Sequence, residues 1–308
     1  MRRELHYFDI YPKTIPAGSS SKITVRSTGS HLDFKPGETY RISVIPMNEN
    51  PLTGSISGEF SEFSVISGNC ELNFEYTFGN EQEYRFRIFY GNTDNFIMLS
   101  VYALNEDLYN TIPLRGDLHV HSSYSDGAET PERVVANYRS AGYDFVVISD
   151  HENYHASVRA KEFYKNVPVE MTIFNGEEVH SPGNPIHIVN FAGSQSVQEM
   201  ADSSSYGYKE NLIGIEDATE KIIASCRWVC ENIRKVGGLA IFAHPFWITD
   251  AYQVSIKLTG KLLESNIFDA FELLGGLSPV ENMMQTSFYS TYFFNNDTGK
   301  YILPIVGS

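Results

Sequence analysis

The sequence predicts two domains of different class: an N-terminal all-β sandwich over residues 1–110, then a barrel-like α/β domain over residues 111–308. Three observations carry this. The chain of 308 residues exceeds the usual size of one domain. Its first hundred or so residues alternate apolar and polar side chains in short runs broken by turn residues. After "ALNEDLYNTIPLRG" the rhythm changes to strand, loop, helix.

The early runs "SKITVRS" and "TYRISVI" have period two. In "CELNFEYTF", Leu72, Phe74, Tyr76 and Phe78 alternate with Glu71, Asn73, Glu75 and Thr77, and "YRFRIFY" repeats the pattern. Turn residues in "KPG", "NPLTG", "FGN" and "YGN" separate these runs, which is the signature of an antiparallel sandwich. His6 and His31 belong to this half and are expected to be exposed. In the second half Thr130, Pro131 and Glu132 read as a helix start, with Val134, Val135 and Tyr138 following and Gly142 at the stop. "DFVVIS", "MTIFNGEE", "IHIVNFAG", "GLAIFAH", "FDAFELLG" and "YILPIVG" are apolar runs of the kind found in buried parallel strands. The Ser-rich segment 193–214 is polar and weakly periodic, which fits either a lid or an exposed insertion.

A formal net charge of -15 argues against a nucleic-acid backbone footprint, which needs clustered Lys and Arg. A small anionic substrate stays compatible with that charge if bound cations reverse the local field. No signal peptide or membrane-spanning run is read, so the expected location is the cytoplasm. Cys226 and Cys230 fall four apart on a helical face with Ile222, Val229 and Ile233, and are expected to be buried thiols. There is neither a Walker-type glycine loop nor a G-x-S-x-G elbow.

In "GDLHVHSSYSDG" strand alternation puts Asp117, His119 and His121 on one side, with Leu118 and Val120 on the other. Taken alone, His-x-His is weak evidence of a metal site. The case strengthens because ionisable residues recur wherever a predicted strand ends: Asp150 and His151 in "VVISDHEN", Glu177, Glu178 and His180 in "FNGEEVH", His187 in "NPIHIVN" and His244 in "IFAHPFW". Strand ends of an α/β barrel gather on one rim, so these residues are expected to converge there. Seven of the nine histidines lie between positions 119 and 244. His155 and His180 fall a little off that rim. Asp150 could cap the turn after its strand or orient the His151 ring. Of the two adjacent glutamates only one should face the site, and Glu178 is favoured.

"DLHVHSSYSDG", "VVISDH", "NGEE", "HIVNF" and "IFAHP", in this order, resemble the metal motifs of the PHP (polymerase and histidinol phosphatase) superfamily. "YALNEDLYNTIPLRGDLHVHS" and "FDAFELLGG" are similar to its carbaryl-hydrolase-like branch, in which a β-rich domain precedes the barrel. The resemblance covers residues 115–308 well and the earlier part only loosely. It implies a distorted (β/α)7 barrel, two or three divalent ions, zinc, manganese or iron, and hydrolysis of a small phosphate mono- or diester by a hydroxide shared between them. Carried over by position, His119 and His121 hold a first ion. Glu178 bridges it to a second held by His187 and His244, and Asp126 and His151 contribute to a third. Glu178 and His151 are the residues implied in catalysis. An asparagine common in the family is replaced by Gly275 or Gly276. The family's last strand runs into an Asp-x-His pair, whereas this chain reaches only Gly307 and Ser308, so the barrel is expected to be cut short and its metal occupancy partial.

The same site could attack the carbonyl of a carbamate or ester. A third reading is a non-catalytic binding protein on a degenerate site. Substrate selection is expected to reside in the Ser-rich segment, the sandwich interface and Arg115 or Arg133.

Overall fold

The structure is a computed structural model and describes residues 7–29, 32–48, 61–91, 93–112, 114–275, 278–295 and 303–306. His6, His31, Gly276, Gly307 and Ser308 lie outside the described residues. The chain separates into two compact units, Met1–Pro113 and Leu114–Ser308.

The first unit is β-rich. Its strands are β1 (Phe8–Tyr11), β2 (Thr14–Pro16), β3 (Ser20–Ser27), β4 (Thr39–Pro46), β5 (Ser61–Ile66), β6 (Glu71–Thr77), β7 (Gln82–Phe89) and β8 (Phe96–Leu104), followed by a single helical turn α1 (Glu106–Tyr109). They form a three-stranded sheet, β1-β3-β6, and a five-stranded sheet, β2-β8-β7-β4-β5. Pairing is antiparallel except between β2 and β8. The alternation in the sequence explains why each sheet has an apolar face. Ile23, Val25 and Leu72 of the first sheet and Ile42, Val44, Phe86 and Ile88 of the second are fully buried in one shared core. Each such side chain contributes roughly 2 kcal/mol of transfer free energy.

The second unit begins with β9 (Gly116–Asp117), α2 (Pro131–Ser140), β10 (Phe145–Val147), α3 (His155–Phe163) and β11 (Thr172–Phe174). It continues through β12 (Gly176–His180), β13 (His187–Phe191), α4 (Val197–Asp202), α5 (Ala218–Lys235) and β14 (Leu239–Phe242). The last elements are α6 (Ile256–Glu264), β15 (Ala270–Leu274), α7 (Pro279–Asn295) and β16 (Leu303–Val306). Two sheets, β11-β10-β9 and β12-β13-β14-β15-β16, are joined by a parallel bridge between His151 and Glu178 and curl into a partial barrel. Helix α2 starts as its sequence suggests, with the Thr130 side chain accepting from the Arg133 N–H. Helix α5 buries Cys226, Val229, Cys230 and Ile233 completely, while Ile222 packs at the edge of the same cluster.

Two differences from the sequence expectation bear on the site. The strands are not uniformly parallel: β13 runs antiparallel to both β12 and β14. Residues 181–186 are too few for the crossover that a parallel pair requires, so β12 and β13 make a hairpin. The Ser-rich segment is also not a lid. Val197, Met200, Ala201 and Tyr208 are buried in the main core of this unit, and Ser196 caps α4 by accepting from the Glu199 N–H.

Candidate metal centre

The site lies where β9, β10, β12 and β14 end. Strand β9 is only two residues long, so the expected alternation frays: Val120 packs with Val146 and Ile148, whereas Leu118 packs with Val189 and Ile241. His119 and His121 still converge, with Nε2 atoms 3.0 Å apart. The hairpin explains how His187 reaches the same rim although it opens its strand. His180 closes β12 and pairs directly with His187 across the antiparallel ladder. Their rings stack with centroids 3.8 Å apart.

Glu178 is the hub. It is fully buried. Its Oε1 stands 2.8 Å from His187 Nδ1 and 3.1 Å from His244 Nε2. Its Oε2 stands 2.7 Å from His151 Nδ1, 3.2 Å from His119 Nε2 and 3.3 Å from His121 Nε2. No directed hydrogen bond reaches that buried Oε2 among the described residues. Glu177, the neighbour on the strand, points away: its carboxylate accepts from Ser196 Oγ, Asn190 Nδ2 and the Val197 N–H at the start of α4. The alternation therefore selects Glu178, as the strand pattern suggests.

Three imidazoles have their Nδ1 side engaged by an acceptor. His119 Nδ1 is 3.0 Å from Glu272 Oε1. His244 Nδ1 is 3.2 Å from Gln253 Oε1, and the Gln253 amide nitrogen donates to Pro185 O, which fixes which end of the amide faces the ring. His121 Nδ1 is 3.2 Å from Ser125 Oγ, whose own proton goes to Asp150. An imidazole that donates from Nδ1 offers a lone pair at Nε2, and all three Nε2 atoms turn toward Glu178. Wherever such a ring is neutral, its Nε2 lone pair faces a Glu178 oxygen, an arrangement that a bound cation would satisfy.

Four overlapping groups have donor atoms mutually within 4.8 Å: His151, Glu178, His180 and His187; His119, His244 and Glu272; His119, His121 and Glu178; and His121, Asp126 and His151. The six imidazoles and two buried carboxylates, without a thiolate, are a donor set suited to divalent metal ions. All seven residues singled out as ligands from the sequence meet here, Asp126 from an exposed loop position. His155 does not; it is exposed and pairs with Glu199. Asp150 neither caps its own turn through the side chain nor touches the His151 ring. Its carboxylate accepts from Ser122 N, Ser122 Oγ and Ser125 Oγ, holding the loop that carries Asp126.

Two members were not singled out in the sequence as members of the site. His180 belongs to the cluster, its Nε2 2.8 Å from His151 Nδ1. Glu272, on β15, is buried, bonds His119 and accepts the His244 N–H at 2.9 Å. The only sequence signal for Glu272 was a carboxylate inside the apolar run "FDAFELLG".

Burial disfavours a charged His119, but Glu272 and Glu178 outweigh it and hold its pKa well above the usual imidazole value. Burial, then the charge on His119, pushes His121 down to about 4. Burial, then His187, pushes His180 down to about 3. Against the opposing effect of burial, His119 and the other rings hold the Glu178 carboxyl well below its ordinary range. Burial raises Glu177, outweighing its hydrogen bonds from Ser196 and Asn190.

Residues 117–231 match the model of the PHP domain family. That stretch, less than half of the chain, is similar to a PHP domain. His244 and Glu272 lie beyond the matched stretch and are brought to the same rim by β14 and β15. The comparison with curated proteins gave no match. Among solved structures, a candidate metal-dependent phosphoesterase from Bifidobacterium adolescentis is 15% identical over 64% of this chain and 87% of its own, with a TM-score of 0.42. An amidohydrolase from Chromobacterium violaceum with bound sulfate and no metal is 15% identical over 63% of this chain and 86% of its own, with a TM-score of 0.42. A two-domain protein containing predicted PHP-like metal-dependent phosphoesterase from Bacteroides vulgatus is 18% identical over 52% of this chain and 44% of its own, with a TM-score of 0.36.

Proposed function

We propose that the protein is a metal-dependent phosphoesterase that hydrolyses a small phosphate mono- or diester. The observation that carries this reading is the division of Glu178, one oxygen toward His187 and His244 and the other toward His119, His121 and His151. A carboxylate divided in this way suits a ligand shared by two cations. His119 and His121 would complete one side, His187 and His244 the other. Asp126 and His151, with His121, form a third and more open group. Divalent ions held by these residues would lower the pKa of water and offset charge developing on the phosphoryl oxygens. Glu272, Gln253 and Ser125 each stand at the Nδ1 atom of a ring and hold its orientation, so the donor set needs little reorganisation on binding. Turnover is expected to depend most on Glu178 and His151.

Metal content and turnover of a phosphoester and carbamate panel test this, beside His119→Ala and Glu178→Ala. Each substitution should reduce bound metal and lower turnover at least 100-fold. Unchanged turnover in both would remove the assigned roles. A carbamate or ester hydrolase is the second reading. It is favoured by the absence of Lys and Arg among the described residues lining the cavity, since a neutral electrophile needs no basic partner. We further propose that the β-rich unit is a sandwich domain ending near residue 110, as in the carbaryl-hydrolase-like branch.

A further inference from the structure

The histidine cluster opens into a cavity of about 660 Å3, within the range of small-molecule sites. Beyond the histidines and Asp126, its wall is Trp247, Tyr138, Val120, Thr249 and Gln253, with Gly127 and Gly275 leaving room between them. None of these described residues is a Lys or Arg. The arginines that the sequence offered for substrate contact are committed elsewhere. Arg115 lies at the far end of β9, stacked on Tyr143 and bonded to Ala141 O, and Arg133 pairs with Glu129. Arg159, which meets the 122–127 loop, is bound to Glu132 and Tyr124.

The aromatic wall is built in. Trp247 donates its backbone N–H to His244 O at 3.0 Å and accepts from Gln253 N at 2.8 Å. The next residue, Ile248, donates to the buried Glu281 at 2.8 Å. The Trp247 ring centroid stands 5.1 Å from that of His244, so one edge of the apolar surface touches the ionisable cluster. A second phosphate or carboxylate on the substrate would enter this wall without a basic side chain to meet it. A flat, uncharged ring would bury its faces there.

We propose that the substrate is a phosphate monoester of an aromatic, uncharged alcohol, its ring lying against Trp247, and that bisphosphates and nucleotides are disfavoured. This rests on the phosphoesterase reading above. In the reaction, water forms the new P–O bond and the aryl oxygen leaves with a proton, giving a phenol and inorganic phosphate.

The test uses the 308-residue chain loaded with manganese, with calorimetric binding of two inert probes. Phenylphosphonate should bind at least tenfold tighter than methylphosphonate. 1-Naphthyl phosphate should exceed glycerol phosphate and adenosine 3′,5′-bisphosphate in kcat/KM. Trp247→Leu should cut the phenyl-over-methyl preference at least fivefold and Trp247→Phe should retain most of it, each with thermal unfolding checked. Equal affinity for the two phosphonates, or better turnover of the bisphosphate, overturns the aromatic wall and leaves the phosphoesterase reading standing. Binding of neither, with no ester turned over, overturns both.

Discussion

Glu272 Oε1 stands 3.0 Å from His119 Nδ1 while Oε2 accepts the His244 N–H, so one buried carboxylate orients residues from two separate strand ends. It thereby fixes the side of His119 that is free to bind.

Glu272→Gln keeps the shape and removes the charge. We expect cation affinity to fall about 10–100-fold, the range for an orienting carboxylate behind a histidine ligand. Competition against a chelating dye measures this. Unaltered affinity would reduce Glu272 to a packing role.

The shifted imidazoles predict opposite responses to pH. His119 lies well above its ordinary value, so without cations it stabilises the fold below pH 6.5 and loses that contribution as pH rises through its raised pKa. His121, depressed to about 4, stabilises above pH 6.5 and loses its contribution as pH falls toward 4. The Tm of the metal-free protein should therefore drop on acidification from pH 6.5 to 4, and less steeply in His121→Gln. Cation binding must displace the His119 proton, so affinity should rise with pH and calorimetry in buffers of different ionisation enthalpy should register proton release.

Gly176 opens β12 where a Cβ would come within 2.3 Å of Val147 Cγ2 and 2.9 Å of Asn190 O. Gly176→Ala should destabilise the protein by about 1–3 kcal/mol through overpacking. Urea unfolding gives the value, and a loss under 0.5 kcal/mol would mean that β10 and β12 yield at that point.

Cys226 and Cys230 are fully buried, and burial pushes both thiols up, Cys226 above the range in which a thiolate forms in neutral buffer. A thiol reagent should therefore modify the half-buried Cys70 first in the native protein and reach all three cysteines only after unfolding. Rapid labelling of three native thiols would contradict the packing of α5.

The runs of period two gave β3, β4, β6 and β7 because a half-buried strand writes its faces directly into the sequence. Glu178 was separable from Glu177 for the same reason. What escaped was set by partners remote along the chain. The inversion of β13 depends on a loop too short for a helix, and it alone brings His180 level with His187. Glu272 shows locally only as a carboxylate in an apolar run, because its role is defined by His119, 153 positions away. In the Ser-rich stretch, polar composition concealed Val197, Met200 and Tyr208, whose burial is decided by α5 and not by their neighbours.

Glu177 and Glu178 are consecutive on one strand, the first tied to the opening amides of α4 and the second to the histidines. A cation that drew Glu178 toward it would act, through the single peptide unit between the two residues, on the carboxylate that accepts the Val197 N–H. Deuterium uptake at that amide should slow when cations load, making a core position outside the pocket a reporter of occupancy.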